Sequence, residues 1–136
     1  MEVTARAIII NDKGLMVFYR EKVINGERIN YYAIPGGHVE VGETEEETVV
    51  RELNEELGIE IVVERKLGEI IIDNKKEIYF LCKHISGEPV LGGEELLRNN
   101  MNNYNEFKYL TLDRVKDAEI RAFEIIKQVI KLWIYF

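Results

Sequence analysis

The sequence predicts a single α+β domain. Short β-branched and aromatic runs lie on either side of one capped amphipathic helix, a second amphipathic stretch closes the chain, and 136 residues suffice for one compact core but not for two ordinary ones. Hydrophobic residues make up 46% and charged residues 32%, the composition of a soluble globular protein. The domain is expected to occupy residues 1–136.

Residues 3–10 are apolar and β-branched and predict a strand. Asn11-Asp12-Lys13-Gly14 is turn chemistry before a second run over 15–20, so the two are expected to form a hairpin. Arg20 ends that run, as a surface charge or as a phosphate contact. Residues 21–30 are polar, contain Gly26 and read as a loop. In Tyr31-Tyr32-Ala33-Ile34-Pro35-Gly36-Gly37 the proline stops sheet pairing, and two glycines allow backbone to approach an ion or a phosphate with no Cβ in the way.

The next helix carries its own start and stop signals. Thr44 and Glu47 make a capping box, and Gly58 supplies the C-terminal stop. Val49, Val50, Leu53 and Leu57 recur at helical spacing as a core-facing stripe, with Glu45, Glu52 and Glu56 beside it and Glu55 one turn from Arg51. Residues 59–63 and 67–72 read as strands, and Asp73-Asn74-Lys75-Lys76 turns into a third over 77–85. Residues 86–105, with Gly87, Gly92, Gly93 and an asparagine-rich run around Met101, predict a long loop, either functional or disordered. Residues 119–133 close the chain as a helix whose stripe of Ile120, Phe123, Ile126 (or Ile125), Ile130 and Trp133 is core packing.

A formal charge of −7 argues against a protein that binds a nucleic-acid polymer, which needs clustered Lys and Arg. Nine of the 25 acidic residues fall between Glu40 and Glu60, so the imbalance is largely local. Cys82 is the only cysteine, which excludes an intrachain disulfide and suits a reducing compartment such as the cytoplasm. The short apolar run over 7–10 is neither a signal peptide nor a membrane span, and no membrane partner is expected.

Glutamates crowded on one helix repel each other, and a divalent cation reverses that sign. A solvated acidic face is the ordinary explanation of such a helix, but the spacing here is specific. Gly37, Glu43, Arg51, Glu52, Leu53, Glu55, Glu56, Gly58 and Ile59 fill nine positions of a fixed pattern without a departure. Residues 37–59 therefore resemble the Nudix box of the Nudix hydrolases, the family that includes the MutT-like enzymes. Tyr32, Ile34, Pro35, Gly36 and Gly37 match the run that precedes the box in similar proteins, and residues 106–113 resemble the late strand of the same family.

The resemblance implies an α/β/α sandwich with a central mixed sheet, and hydrolysis of the phosphoanhydride in a nucleoside diphosphate linked to another group. Conversion of a (deoxy)nucleoside triphosphate to a monophosphate and pyrophosphate is one such reaction; ADP-ribose, other nucleotide sugars and dinucleoside polyphosphates are alternatives. It implies Mg²⁺, with Mn²⁺ able to substitute, held by Glu52, Glu55, Glu56 and the carbonyl of Gly36. Arg51 is implied to orient the carboxylates, and Glu43 to pair with it or to brace the loop. Arg20 and Gly37 are implied substrate contacts, and Glu94, Glu95 and Glu106 are the candidates for a further ligand or general base. His38 and His84 read as solvated or structural groups. Tyr31, Tyr32, Tyr104 and Phe107 are either base-stacking or core aromatics. Similar proteins often form homodimers, and no stretch here marks a dimer surface. The rival readings are a non-catalytic nucleotide-binding module and an interaction domain with a Ca²⁺-binding or merely solvated acidic helix.

Overall fold

Alternation of side chains along the strands builds two cores. In the structure, a computed structural model that describes residues 1–100, 102–118 and 120–134 with side chains as far as Lys131, strand β3 (Gly14–Ile24) sends Met16 and Phe18 to one core and Leu15 and Val17 to the other. Strand β1 (Glu2–Ile8) does the same with Ala5 and Ala7 against Ile8, and strand β7 (Lys75–Ser86) with Ile78 and Phe80 against Tyr79. Strands covered on both faces read as nearly continuous apolar runs, which is why β1 and β3 showed no clean polar alternation.

Helix α1 (Glu45–Leu57) covers one face through Val49, Leu53 and Leu57. The other face is covered by α3 (Leu112–Val115) and α4 (Phe123–Ile134), through Val115 and Ile126 with Phe123 and Ile130 at the margin. The result is the three-layer sandwich expected. One mixed sheet runs β5 (Gly36–His38), β1, β7, β6 (Glu60–Ile72), with β1 parallel to β7 and the other pairs antiparallel. The second is antiparallel: β3 pairs with β8 (Asn103–Leu110), and with β2 (Ile10–Asn11) and β4 (Glu27–Ala33).

The capping box is present in both directions, with Glu47 N–H to Thr44 Oγ1 at 3.1 Å and Thr44 N–H to Glu47 Oε1 at 3.0 Å. Gly58 stops the helix in the left-handed region at φ 67°.

Several local expectations are corrected. The hairpin expected of residues 3–10 and 15–20 forms only at its turn end, where Ile10 and Asn11 pair with β3 and the Met16 N–H donates to the Ile9 carbonyl at 3.0 Å, while β1 lies in the other sheet. Residues 21–30 are not a loop. β3 and β4 continue to a tight turn at Asn25-Gly26, whose φ values of 51° and 81° are both positive, as the hairpin-favouring type I′ turn requires. The expected strands over 59–63 and 67–72 are one strand, β6, with register shifts at Val63/Arg65 and Lys66/Gly68. Val50 leaves the core stripe and is 42% exposed. Within 86–105 a short helix α2 (Gly93–Leu97) forms and β8 begins at Asn103. The last helix starts at Phe123; Glu119 and the side chain of Trp133 lie outside the described residues. Among the described residues no helix is long and apolar enough to cross a membrane.

Removing the cap tests this local reading. Thr44→Ala is expected to lower unfolding free energy by about 1 kcal/mol, measured as a lower urea midpoint at unchanged m-value.

Candidate active site

Two glycines at the start of β5 lie so close to their neighbours, Gly36 to β1 and Gly37 to α1, that neither tolerates a side chain. A Cβ on Gly36, which has φ 152°, would strike the Ala5 carbonyl of β1, and a Cβ on Gly37 would strike the Glu52 carboxyl. The Gly36 N–H is thereby free to donate to Glu56 Oε1 at 3.2 Å. Glu56 is 5% exposed, and burial, followed by the neighbouring Glu95 carboxylate, pushes its pKa up to about 10.

Glu95 reaches the same place from α2 and is 4% exposed. Burial raises its pKa, but the Arg20 guanidinium, bonded to Glu95 Oε1 at 2.6 Å, outweighs that and holds the carboxyl below its ordinary value. Asn105 on β8 donates to the Glu95 carbonyl at 2.9 Å and to its carboxylate, which pins α2 to the second sheet. Of this pair Glu56 keeps the proton and Glu95 the charge, because the guanidinium lies beside Glu95.

Arg51 is the hub of the outer carboxylates. It grips Glu43 with Nε to Oε2 at 2.6 Å and Nη2 to Oε1 at 3.0 Å, and its Nη1 reaches Glu52 at 2.9 Å and Glu55 at 3.2 Å. Nη2 also donates to the His38 carbonyl at 3.2 Å, fixing the glycine segment to the helix. The Arg51 hydrogen bond is the largest reason that Glu43 is held down to about 2. Glu52 lies inward of Arg51, and its burial outweighs the guanidinium and raises its pKa.

Glu52, Glu55, Glu56, Glu94 and Glu95 line a single cleft of about 230 Å³ with Arg20, Gly36 and Gly37. All but one of the expected site residues therefore converge; Glu106 does not line this cleft, and instead accepts from the Tyr104 hydroxyl and pairs with Lys108. Glu94 is exposed and Glu95 buried, a distinction that depends on the docking of α2. His38 has a 68% exposed side chain on Glu2, and His84 binds the Ser86 and Gly87 carbonyls. Phe107 packs on Tyr109, with Tyr104 near Tyr19, while Tyr31 and Tyr32 line a second cleft of about 550 Å³ that shares Arg6 and Arg20 with the first.

Sequence reasoning missed Arg6 and Arg98, which also line the carboxylate cleft. Arg6 had a signal: it is a charged residue between the fully buried Ala5 and Ala7, and such a position demands a partner.

The donor set suits a hard divalent cation. Carboxylate oxygens and open backbone are its preferred ligands, and two buried carboxylates side by side need either a proton or a cation between them. Among the described residues no three such side chains converge on one point as they stand, consistent with the engagement of Glu52 and Glu55 by Arg51.

The Arg51–Glu43 contact has a pH signature. A carboxyl depressed in the folded state contributes stability that is fully present above the ordinary carboxylate range and is lost as pH falls toward about 2. In carbon-detected NMR titration Glu43 is expected to stay ionised after exposed glutamates have been protonated, and to return to the usual range in Arg51→Met.

Comparison with known proteins bears on this geometry. The family model described as NUDIX domain matches residues 1–129. An 8-oxo-dGTP diphosphatase of Escherichia coli is 41% identical over 51 residues, which are 38% of this chain and 40% of that protein. An ADP-ribose pyrophosphatase of Methanocaldococcus jannaschii is 31% identical over 120 residues, 84% of this chain and 69% of that one. Among solved structures, a MutT studied from Aliivibrio salmonicida and Vibrio cholerae superposes with a TM-score of 0.67 at 19% identity, covering 96% of this chain and 98% of that one. A MutT protein from Methanosarcina mazei gives 0.62 at 21% identity, covering 91% and 87%. At those identities the superpositions speak for the fold alone. The sequence match is what extends through nearly every element described above, and on it the chain belongs to the NUDIX domain family.

Proposed function

We propose that the protein is a divalent-cation-dependent Nudix hydrolase that cleaves the phosphoanhydride of a nucleoside diphosphate linked to another group. The observation that carries this reading is the buried Glu56–Glu95 pair against the Gly36-Gly37 backbone, with Glu52 and Glu55 beside it. A (deoxy)nucleoside triphosphate yielding a monophosphate and pyrophosphate is the first substrate to test. ADP-ribose is the second, because relatives named for both kinds of substrate match the chain.

Glu52, Glu55, Glu56 and the Gly36 carbonyl would hold the cation, Mg²⁺ or in its place Mn²⁺, with Glu94 or Glu95 as a further ligand. When bound, such an ion neutralises phosphate oxygens and lowers the pKa of a water molecule. Arg51 keeps Glu52 and Glu55 pointed into the cleft. Arg20 and the Gly37 backbone receive the phosphates, and Arg20 is anchored for this by Glu95. Water attacks one phosphorus, the bridging P–O bond breaks, and the bridging oxygen leaves with the other phosphate. The proton lost by the water goes to a cleft carboxylate, either in the box or at Glu94 or Glu95. No covalent enzyme intermediate forms.

Glu56→Gln and Glu55→Gln are expected to slow hydrolysis by about 10² or more in a nucleotide panel with Mg²⁺ and with Mn²⁺, the loss usual for a catalytic group; losses of no more than about threefold sink the reading. A non-catalytic module predicts tight nucleotide binding with no turnover in the same assay. Chelation is expected to abolish turnover in the wild type and its restoration to follow added Mg²⁺.

A further inference from the structure

One cluster of charges lies outside the box and is not used by the reaction as described. Arg6 projects from the middle of β1 with its side chain 23% exposed. Its Nε donates to Glu77 Oε2 at 2.7 Å and its Nη1 to the Ile34 carbonyl at 2.8 Å, just before Pro35-Gly36-Gly37. Glu77, 8% exposed on β7, also accepts from the Tyr79 hydroxyl at 2.9 Å and from Arg121 Nη1. Two guanidiniums thus share one carboxylate, and the cluster keeps a positive charge in a chain whose net charge is −7.

Three clefts meet at this side chain. Arg6 lines the carboxylate cleft, the tyrosine-lined cleft of about 550 Å³, and a third of about 340 Å³ that contains Lys75 and Arg121 together with Glu2 and Asp73. Its stem passes close to Gly36, since a Cβ there would lie 2.9 Å from Arg6 Cγ. The remaining nitrogen, Nη2, bonds to no acceptor among the described residues, yet it is not among their buried unpartnered atoms. A strut between β1, β7 and Ile34 accounts for Nε and Nη1. It does not account for an accessible donor where the three clefts join.

We propose that Arg6 is a substrate-binding residue, which holds a phosphate oxygen at the mouth of the tyrosine-lined cleft, and that Glu77 is the positioning residue that aligns it. The inference rests on the hydrolase reading for what the cleft receives, but not on turnover. Pinned by two bonds, the guanidinium is pre-aligned, so little side-chain freedom is lost when it grips an anion. Glu77 removes only part of the charge because Arg121 shares it.

Inorganic pyrophosphate is the probe, since it presents phosphate oxygens without a nucleoside. Its affinity is measured by calorimetry at low salt, with chelator and with Mg²⁺, for the wild type, Arg6→Lys, Arg6→Met and the double variant Arg6→Met/Glu77→Gln. The double variant leaves no buried unpaired charge on β7, and its melting temperature and circular dichroism report whether the fold is kept. The folded double variant is expected to bind at least about tenfold more weakly, the scale of one charge-assisted hydrogen bond. The defect is expected to persist in chelator and to shrink as salt is raised, which loss of a strut alone would not produce; Arg6→Lys is expected to fall between. Affinity within about twofold of wild type in a folded double variant overturns the inference while leaving the hydrolase reading intact. Failure of the wild type to hydrolyse any nucleotide overturns the hydrolase reading instead, and the pyrophosphate titration still decides Arg6.

Discussion

Two carboxylates, Glu56 and Glu95, are buried at the floor of one cleft, and the rest of the site answers the cost of placing negative charge there. An isolated ionised carboxylate in such a position is costly by several kcal/mol, so it must be neutralised, paired or bound to a cation. The molecule uses the first two means in the state described. Glu56 keeps its proton and accepts from the Gly36 N–H, while Glu95 keeps its charge against Arg20. In the proposed reaction a divalent cation takes the place of both arrangements, and with it an acidic site in an acidic protein suits a still more acidic substrate.

The arginines sort the remaining glutamates. Arg51 takes Glu43 as a fixed bidentate partner and uses its other edge on Glu52 and Glu55. Glu43 is thereby an anchor for Arg51 and a brace for the loop before α1, where it also accepts from the Glu40 N–H and the Thr48 hydroxyl. Arg20 and Arg6 stand on the opposite side, on β3 and β1, each tied to a buried glutamate from another element. The sandwich places these groups: α1 brings the box carboxylates, β5 the glycines, α2 Glu95, and β1 and β3 the cations Arg6 and Arg20.

Legibility in the sequence followed the distance over which each interaction acts. The capping box, the Gly58 stop and the spacing from Gly37 to Ile59 are local, and they appear in the structure where the residues placed them. Arg6 and Glu77 are 71 residues apart, and nothing near either one names the other. Glu94 and Glu95 were equivalent in sequence because what buries Glu95 is a hydrogen bond from Asn105, ten residues on, acting through a five-residue helix. The Asn25-Gly26 turn carried a readable dipeptide, but its strands are polar and exposed at the tip, and that polarity masked the hairpin. Val50 shows the limit of a stripe read from one helix alone: the approach of β1, β5 and β6 to α1 sets how wide the buried face is.

The proposed chemistry depends most directly on what Glu56 binds when its proton leaves. Titration of Mn²⁺ into the wild type and into Glu56→Gln, followed by electron paramagnetic resonance of the free ion, reads this without any substrate. The account predicts a bound ion in the wild type and an affinity at least about tenfold weaker in Glu56→Gln. Equal affinity in the two proteins, or no bound ion in the wild type, would contradict it.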